Sequence, residues 1–184
     1  KRKLFARIDD EIKKKVIVSS NTSGLKIEDM TDGRSESFKS RFLVTHFFNP
    51  VRYLHLFELI KGKNTEQGIV DKISVFAQNN LGKGVVCGKD TPNFIANRIG
   101  VYGMMVTLEE ARKNNLSIED VDALTGTLIG RPKSATFRTS DIVGLDTMCF
   151  VANTAFEKCI DDPEKDIFKI PDYLQKMVEN GWIG

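Results

Sequence analysis

Histidine is scarce in this sequence, with only His46 and His55, so each can be weighed by its neighbours. Phe42, Val44 and His46 alternate at strand spacing and share a face. Phe47-Phe48-Asn49-Pro50 follows at once, and its proline stops the strand. A residue close to a strand's end is well placed to line a cleft; a core histidine bonded to a backbone carbonyl fits the same pattern. His55 has the opposite parity from Leu54 and Leu56 and reads as structural or exposed. Glu58 shares a strand face with Leu54, Leu56 and Ile60, where the pattern expects apolar groups. A buried carboxylate is costly unless it is paired. His46 and Glu58 lie on consecutive strand candidates joined by a proline-containing turn, so they are placed to meet side by side. A histidine hydrogen-bonded to a carboxylate has a fixed tautomer and a stabilised imidazolium. That is the chemistry of a general base with its orienter. From spacing alone, a structural ion pair fits equally well.

Two further clusters carry polar groups. Asp90-Thr91-Pro92 reads as a helix start, a capping side chain ahead of a proline suited to the first turn. Asn97 then falls in the second turn, near the positive end, where an amide hydrogen-bonds a polarised substrate oxygen, or simply solvent or backbone. Asn21 and Ser23 sit in the turn after the first strand candidate. Ligands of open parallel sheets bind outside the carboxyl ends of strands, although Asn, Ser and Gly favour turns in any case. No G-x-S-x-G elbow surrounds Ser23, which argues against a serine nucleophile. A dinucleotide fingerprint reads G-x-G-x-x-G between a strand and a helix. The nearest run, Gly82-Lys83-Gly84-Val85-Val86-Cys87-Gly88, has another spacing and precedes a strand, so this chain shows no phosphate-cradling loop.

The elements that must position these residues follow from periodicity. Residues 1–15 place Leu4, Phe5, Ile8 and Ile12 at helical spacing. Val16-Ile17-Val18 reads as a short buried strand, Asn21-Thr22-Ser23-Gly24 as its turn, residues 25–30 as one helical turn, and the stretch to Ser40 as a polar loop. Strands are expected over 41–48, 53–60 and 83–88, and a helix over 65–80. Helices are expected over 92–114, 117–128, 139–160 and 171–180, the second opened by Ser117 with Glu119 and Asp120 in its first turn. The fold class is therefore α/β over residues 1–89, a sheet with flanking helices, followed by an all-α helical domain over 90–184.

Composition narrows the partners. A formal charge of +2 gives no argument for nucleic acid, and Lys1-Arg2-Lys3 and Lys13-Lys14-Lys15 read as solvated helix-end charge. Cys87, Cys149 and Cys159 lack C-x-x-C spacing, so neither a disulfide framework nor a zinc site is expected, but buried or inert thiols. No stretch is long and apolar enough for membrane insertion and no signal peptide is read, which favours a reducing, cytoplasmic setting. A first residue Lys1 and a last residue Gly184 suggest a fragment.

Taken together, these clusters resemble the 3-hydroxyacyl-CoA dehydrogenase family. Ser20-Asn21-Thr22-Ser23-Gly24-Leu25 looks like its strand-end motif, and His46-Phe47-Phe48-Asn49-Pro50 with Glu58 and Ile60-Lys61 like its catalytic segment. Residues 89–98 resemble the opening of its helical domain, and Val143-Gly144-Leu145-Asp146 a further signature within it. The resemblance implies the end of a Rossmann-type NAD-binding domain followed by a helical domain. The reaction it implies is reversible oxidation of a (3S)-3-hydroxyacyl-CoA to a 3-ketoacyl-CoA in fatty-acid β-oxidation. In that reading His46 takes the 3-hydroxyl proton and Glu58 holds it in position. Ser23 and Asn97 hydrogen-bond substrate oxygens, while Asn21, Asn49, Ser23 and Lys1 lie near the cofactor NAD. It further implies a homodimer formed through the helical domain. Asn93 stands where many members have glycine, and residues 130–141 look more like the longer bacterial fatty-acid-oxidation proteins, some fused to an enoyl-CoA hydratase domain. With no glycine-rich loop in it, the isolated chain is expected to be inactive. A non-catalytic acyl-CoA-binding and dimerisation module, or a relative acting on another hydroxy acid, are the competing readings.

Overall fold

The computed structural model describes residues 1–12 and 15–184. They divide into two compact units, Lys1–Ile95 and Ala96–Gly184. The first is built on four strands in the order β1 (Val18–Ser20), β2 (Phe42–Phe47), β3 (Leu56–Lys61) and β4 (Gly84–Gly88). β1 runs parallel to β2 and β3 parallel to β4, while β2 and β3 pair antiparallel.

Alternation along the strands decides what covers each face. Phe42, Val44 and Ile60 pack against Phe5 of α1 (Arg2–Glu11), Ile27 and Met30 of α2 (Ile27–Thr31), and Phe38 of α3 (Glu36–Lys39). The Phe42 ring lies 5.0 Å from that of Phe5 and 5.4 Å from that of Phe38. The opposite parity, Leu43, Phe57 and Leu59, buries against Val70 and Ala77 of α4 (Gln67–Leu81). Each such side chain contributes about 1.5–3 kcal/mol of burial. The sheet is thus covered on both faces, as an α/β layer requires.

Several expected boundaries move. The first helix ends at Ile12, which is extended, and Leu4 is exposed while Phe5 is buried. The expected continuation to residue 15, like the Lys13-Lys14-Lys15 cluster, falls partly on residues 13–14, outside those described. β1 is offset from the apolar run: Val18 pairs with Phe42, the first residue of β2, and Val16 is exposed. β3 begins at Leu56 because the amides of Tyr53 and Leu54 bond back to the Pro50 carbonyl in a turn. The stretch read as a polar loop holds α3, whose N-cap Ser35 accepts from the Phe38 amide at 3.1 Å. Asp9 in turn accepts from both the amide and the hydroxyl of Ser35.

Asp90 does not cap the helix that follows it. Its carboxylate accepts from the amide of Ile27 at 2.9 Å and from that of Glu28, so it caps α2, more than sixty residues back in the chain. Asn93 and Phe94, at φ 62° and 52°, break the expected helix, and α5 (Ala96–Lys113) begins after them.

The second unit packs α5, α6 (Ile118–Thr125), α7 (Phe137–Val143), α8 (Leu145–Lys158) and α9 (Asp172–Glu179), with short 3-10 turns at Thr127–Ile129 and Lys165–Phe168. Its core is drawn from Met105, Leu108, Met148, Ala152, Phe168 and Leu174. Ser117 and Asp120 close a reciprocal capping box on α6. The helix expected over 139–160 is two, divided at Gly144, whose φ of 95° no continuing helix accommodates. Cys149 and Cys159 are buried, but Cys87, read as buried or inert, is exposed on β4, an edge strand of the sheet among the described residues. Among the described residues no helix is long and apolar enough to cross a membrane.

Candidate active site

His46 lies near the end of β2, and the antiparallel register sets Glu58 of β3 directly opposite. The imidazole Nδ1–H donates to Glu58 Oε2 at 2.6 Å, with His46 4% and Glu58 0% exposed. The second carboxylate oxygen, Oε1, accepts from the backbone amide of Ile95 at 3.0 Å. A fully buried carboxylate is tolerable only with such partners, and charge-assisted bonds of this kind are the strong ones. The rings of Phe48 and Phe94 flank the imidazole, with centroids at 4.4 and 5.7 Å. They exclude water from that side and fix the ring plane. Holding the proton on Nδ1 leaves Nε2 as the basic nitrogen, and the carboxylate offsets the charge that forms when Nε2 takes a proton.

The parallel pairing of β1 and β2 brings their carboxyl ends together. Asn21 fastens them, its side-chain oxygen accepting from the Phe47 amide at 2.9 Å, and Thr45 donates to the Ser19 hydroxyl at 3.1 Å. Beyond the two strand ends, Asn21, Ser23 and Asn49 are exposed. Amide and hydroxyl groups at the ends of adjacent parallel strands suit the carboxamide of a nicotinamide, so the residues present fit that end of a dinucleotide. Lys1 is exposed at the N-cap of α1. Asn97 belongs to the second unit, half-buried in the first turn of α5 and not in the second turn as expected.

Sequence reasoning missed two supports. The Ile95 amide is one, hidden because residues 90–98 read as a continuous helix start; the turn-tolerant Asn93 was the available signal. Lys83 is the other: its ammonium donates to the carbonyls of Val51 and Leu54 and lies over the Phe47 ring, fixing the loop that follows Asn49. His55, beside it, bonds the Gly82 carbonyl at 2.9 Å.

Comparison with known proteins matches both halves of the chain. The family model described as "3-hydroxyacyl-CoA dehydrogenase, NAD binding domain" matches residues 1–91, and "3-hydroxyacyl-CoA dehydrogenase, C-terminal domain" matches residues 94–184. A probable 3-hydroxyacyl-CoA dehydrogenase of Bacillus subtilis (strain 168) is 54% identical over the whole chain, which spans 23% of that protein. A putative fatty acid oxidation complex trifunctional enzyme of Rickettsia prowazekii (strain Madrid E) is 32% identical, again over the whole chain and 26% of its own length. The crystal structure of M. tuberculosis FadB2 superposes with a TM-score of 0.89 at 30% identity, covering all of this chain and 62% of that one. With both halves of the chain matched in order, an α/β unit of Rossmann type followed by a helical unit, the chain belongs to the 3-hydroxyacyl-CoA dehydrogenase family.

Proposed function

We propose that this chain carries the general-base centre of an NAD-dependent dehydrogenase that interconverts (3S)-3-hydroxyacyl-CoA and 3-ketoacyl-CoA in fatty-acid β-oxidation. The observation that carries the reading is the buried bond from His46 Nδ1 to Glu58 Oε2 at the end of β2. His46 Nε2 accepts the proton of the 3-hydroxyl group as the carbon–oxygen double bond forms. Glu58 keeps the imidazole in the tautomer that leaves Nε2 free and offsets its positive charge. NAD, when bound, supplies the hydride acceptor. Asn21, Ser23 and Asn49 hold its nicotinamide end, with Lys1 near the cofactor and coenzyme A. Ser23 and Asn97 hydrogen-bond oxygens of the substrate, favouring charge that develops on the 3-oxygen. In the reverse direction the same histidine returns its proton to the 3-oxygen.

The helical unit pairs with a second copy in this reading, and the trifunctional relative supports a place within a multifunctional β-oxidation protein. The three free cysteines support work in a reducing compartment, the cytoplasm. The domain division proposed is a cofactor domain over residues 1–89 and a helical domain over 90–184.

The test is a substrate survey with a protein of the relatives' full length. Oxidation of NADH by acetoacetyl-CoA, with reduction of NAD by the 3-hydroxyacyl-CoA, is the expected result. Activity confined to free hydroxy acids overturns the substrate class, and acyl-CoA binding without turnover overturns the enzymatic reading.

A further inference from the structure

Between β4 and α5 the chain turns through residues 91–95, where Asn93 and Phe94 stand consecutively at φ 62° and 52°. Left-handed backbone is costly for residues with a Cβ, and least so for asparagine. Both side chains are buried, Asn93 to 1% and Phe94 to 3%, so the turn is held from within. The Phe94 amide closes it onto the Thr91 carbonyl at 3.1 Å. On one side Asn93 fills the space against the turn after β1: a Cβ built on Gly24 stands 3.0 Å from Asn93 Oδ1. On the other, the turn delivers the Ile95 amide to Glu58 Oε1 and the Phe94 ring, in a T-shaped contact, to the imidazole of His46.

We propose that Asn93 is a positioning residue for the dyad of His46 and Glu58. By holding the left-handed turn it aims the Ile95 amide at Oε1, and this presents Oε2 to Nδ1. The inference rests on the dyad reading of the previous subsection. A carboxyl group rotates about its last side-chain bond with little hindrance. Tying Oε1 to a backbone donor selects the orientation in which Oε2 faces the ring. The same turn seats Phe94 against the imidazole, so one backbone conformation sets both partners of the bond.

Asn93→Gly and Asn93→Val separate the turn from the bulk of the side chain, again in a protein of the relatives' full length. Glycine adopts this φ freely, whereas a β-branched residue resists it. Asn93→Gly keeps kcat within about threefold of the parent, because the backbone donor stays in place. Asn93→Val lowers kcat about ten- to a hundredfold, the worth of a hydrogen bond to a charged group. KM stays within about twofold, as for a loss felt in the transition state. The second readout is the far-downfield proton resonance of His46 Nδ1–H, recorded on the protein without substrate. It persists in Asn93→Gly and moves upfield or disappears in Asn93→Val, an effect that a merely structural residue does not produce in the folded fraction. If Asn93→Val does not fold, Asn93→Ala carries the same test, since its Cβ also resists the left-handed backbone without β-branching. An unchanged resonance and kcat in Asn93→Val or its stand-in overturn the proposal, as does an Asn93→Gly as damaged as Asn93→Val. Full turnover by His46→Gln overturns the dyad itself. An inactive His46→Gln beside an unaffected Asn93→Val overturns this inference alone.

Discussion

His46 and Glu58 face each other across β2 and β3, Nδ1 to Oε2 at 2.6 Å, and the carboxylate has no exposure to solvent. An ion pair kept only for stability has little reason to be there, since apolar residues of similar volume generally serve as well. The pair stands at the carboxyl end of β2, beside that of parallel β1, where open α/β sheets bind their ligands. Its position, more than its strength, argues for chemistry.

His46→Gln therefore lowers kcat by about 10²–10⁴-fold, the usual worth of a general base. Glutamine retains a side-chain amide and much of the volume, so KM and thermal stability change little. Steady-state kinetics on the acyl-CoA substrate decide it, and near-normal turnover removes the role assigned to His46.

Two substitutions separate the charge of Glu58 from its hydrogen bonding. Glu58→Gln keeps an acceptor but loses the charge, so kcat falls by orders of magnitude while the fold survives. Glu58→Leu keeps the volume but leaves the Ile95 amide and His46 Nδ1 unpaired in the interior. That costs about 3–5 kcal/mol, as for breaking a buried pair by removing one partner. Chemical denaturation reads the difference. Equal stability of the two variants shows that the carboxylate is not holding those donors.

Much of this architecture is legible without coordinates. The strand alternation around His46 and the misplaced acid at Glu58 announce their pairing, because period two leaves a polar side chain nowhere else to point. What stays hidden is contact at long range. Asp90 looks like the cap of the next helix, since Asp-Thr-Pro is a local signal, yet it caps α2. The Ile95 amide reaches Glu58 only because two residues with side chains adopt left-handed backbone, which no periodicity reveals.

Two aspartates that accept backbone amides respond to pH with opposite sign. Burial pushes the Asp90 carboxyl above its ordinary value, outweighing the amide bonds from Ile27 and Glu28. Its contribution to stability is full below the unfolded-state pKa and is lost as pH rises through the folded one. For Asp9, burial also pushes upward, but the hydrogen bonds from Ser35, with Arg34 and Arg41 nearby, bring the carboxyl below its ordinary value. Its contribution is present above the unfolded pKa and is lost as pH falls through the folded one. Denaturation of Asp90→Asn and Asp9→Asn over about pH 3 to 7 isolates each group. Stability relative to Asp90→Asn falls with rising pH, and stability relative to Asp9→Asn rises. Slopes of the same sign contradict the assignment.

Glycine-to-alanine changes in the helical unit likewise divide by backbone and space. Gly144 separates α7 from α8 at φ 95° and ψ 125°. A Cβ there meets Asp146 Oδ1 at 2.8 Å, and that oxygen is engaged by the Thr147 amide at 2.7 Å. Gly144→Ala thus combines a disfavoured backbone with a clash at the start of α8, which costs about 1–3 kcal/mol. Gly100 lies within α5, with nothing within 4 Å of an added Cβ. Gly100→Ala removes conformational freedom from the unfolded chain and adds about 0.5–1 kcal/mol of stability. Thermal unfolding of the two variants side by side shows Tm falling for Gly144→Ala and rising for Gly100→Ala. A tolerated alanine at residue 144 means that α7 and α8 can join into the single helix their apolar periodicity suggests.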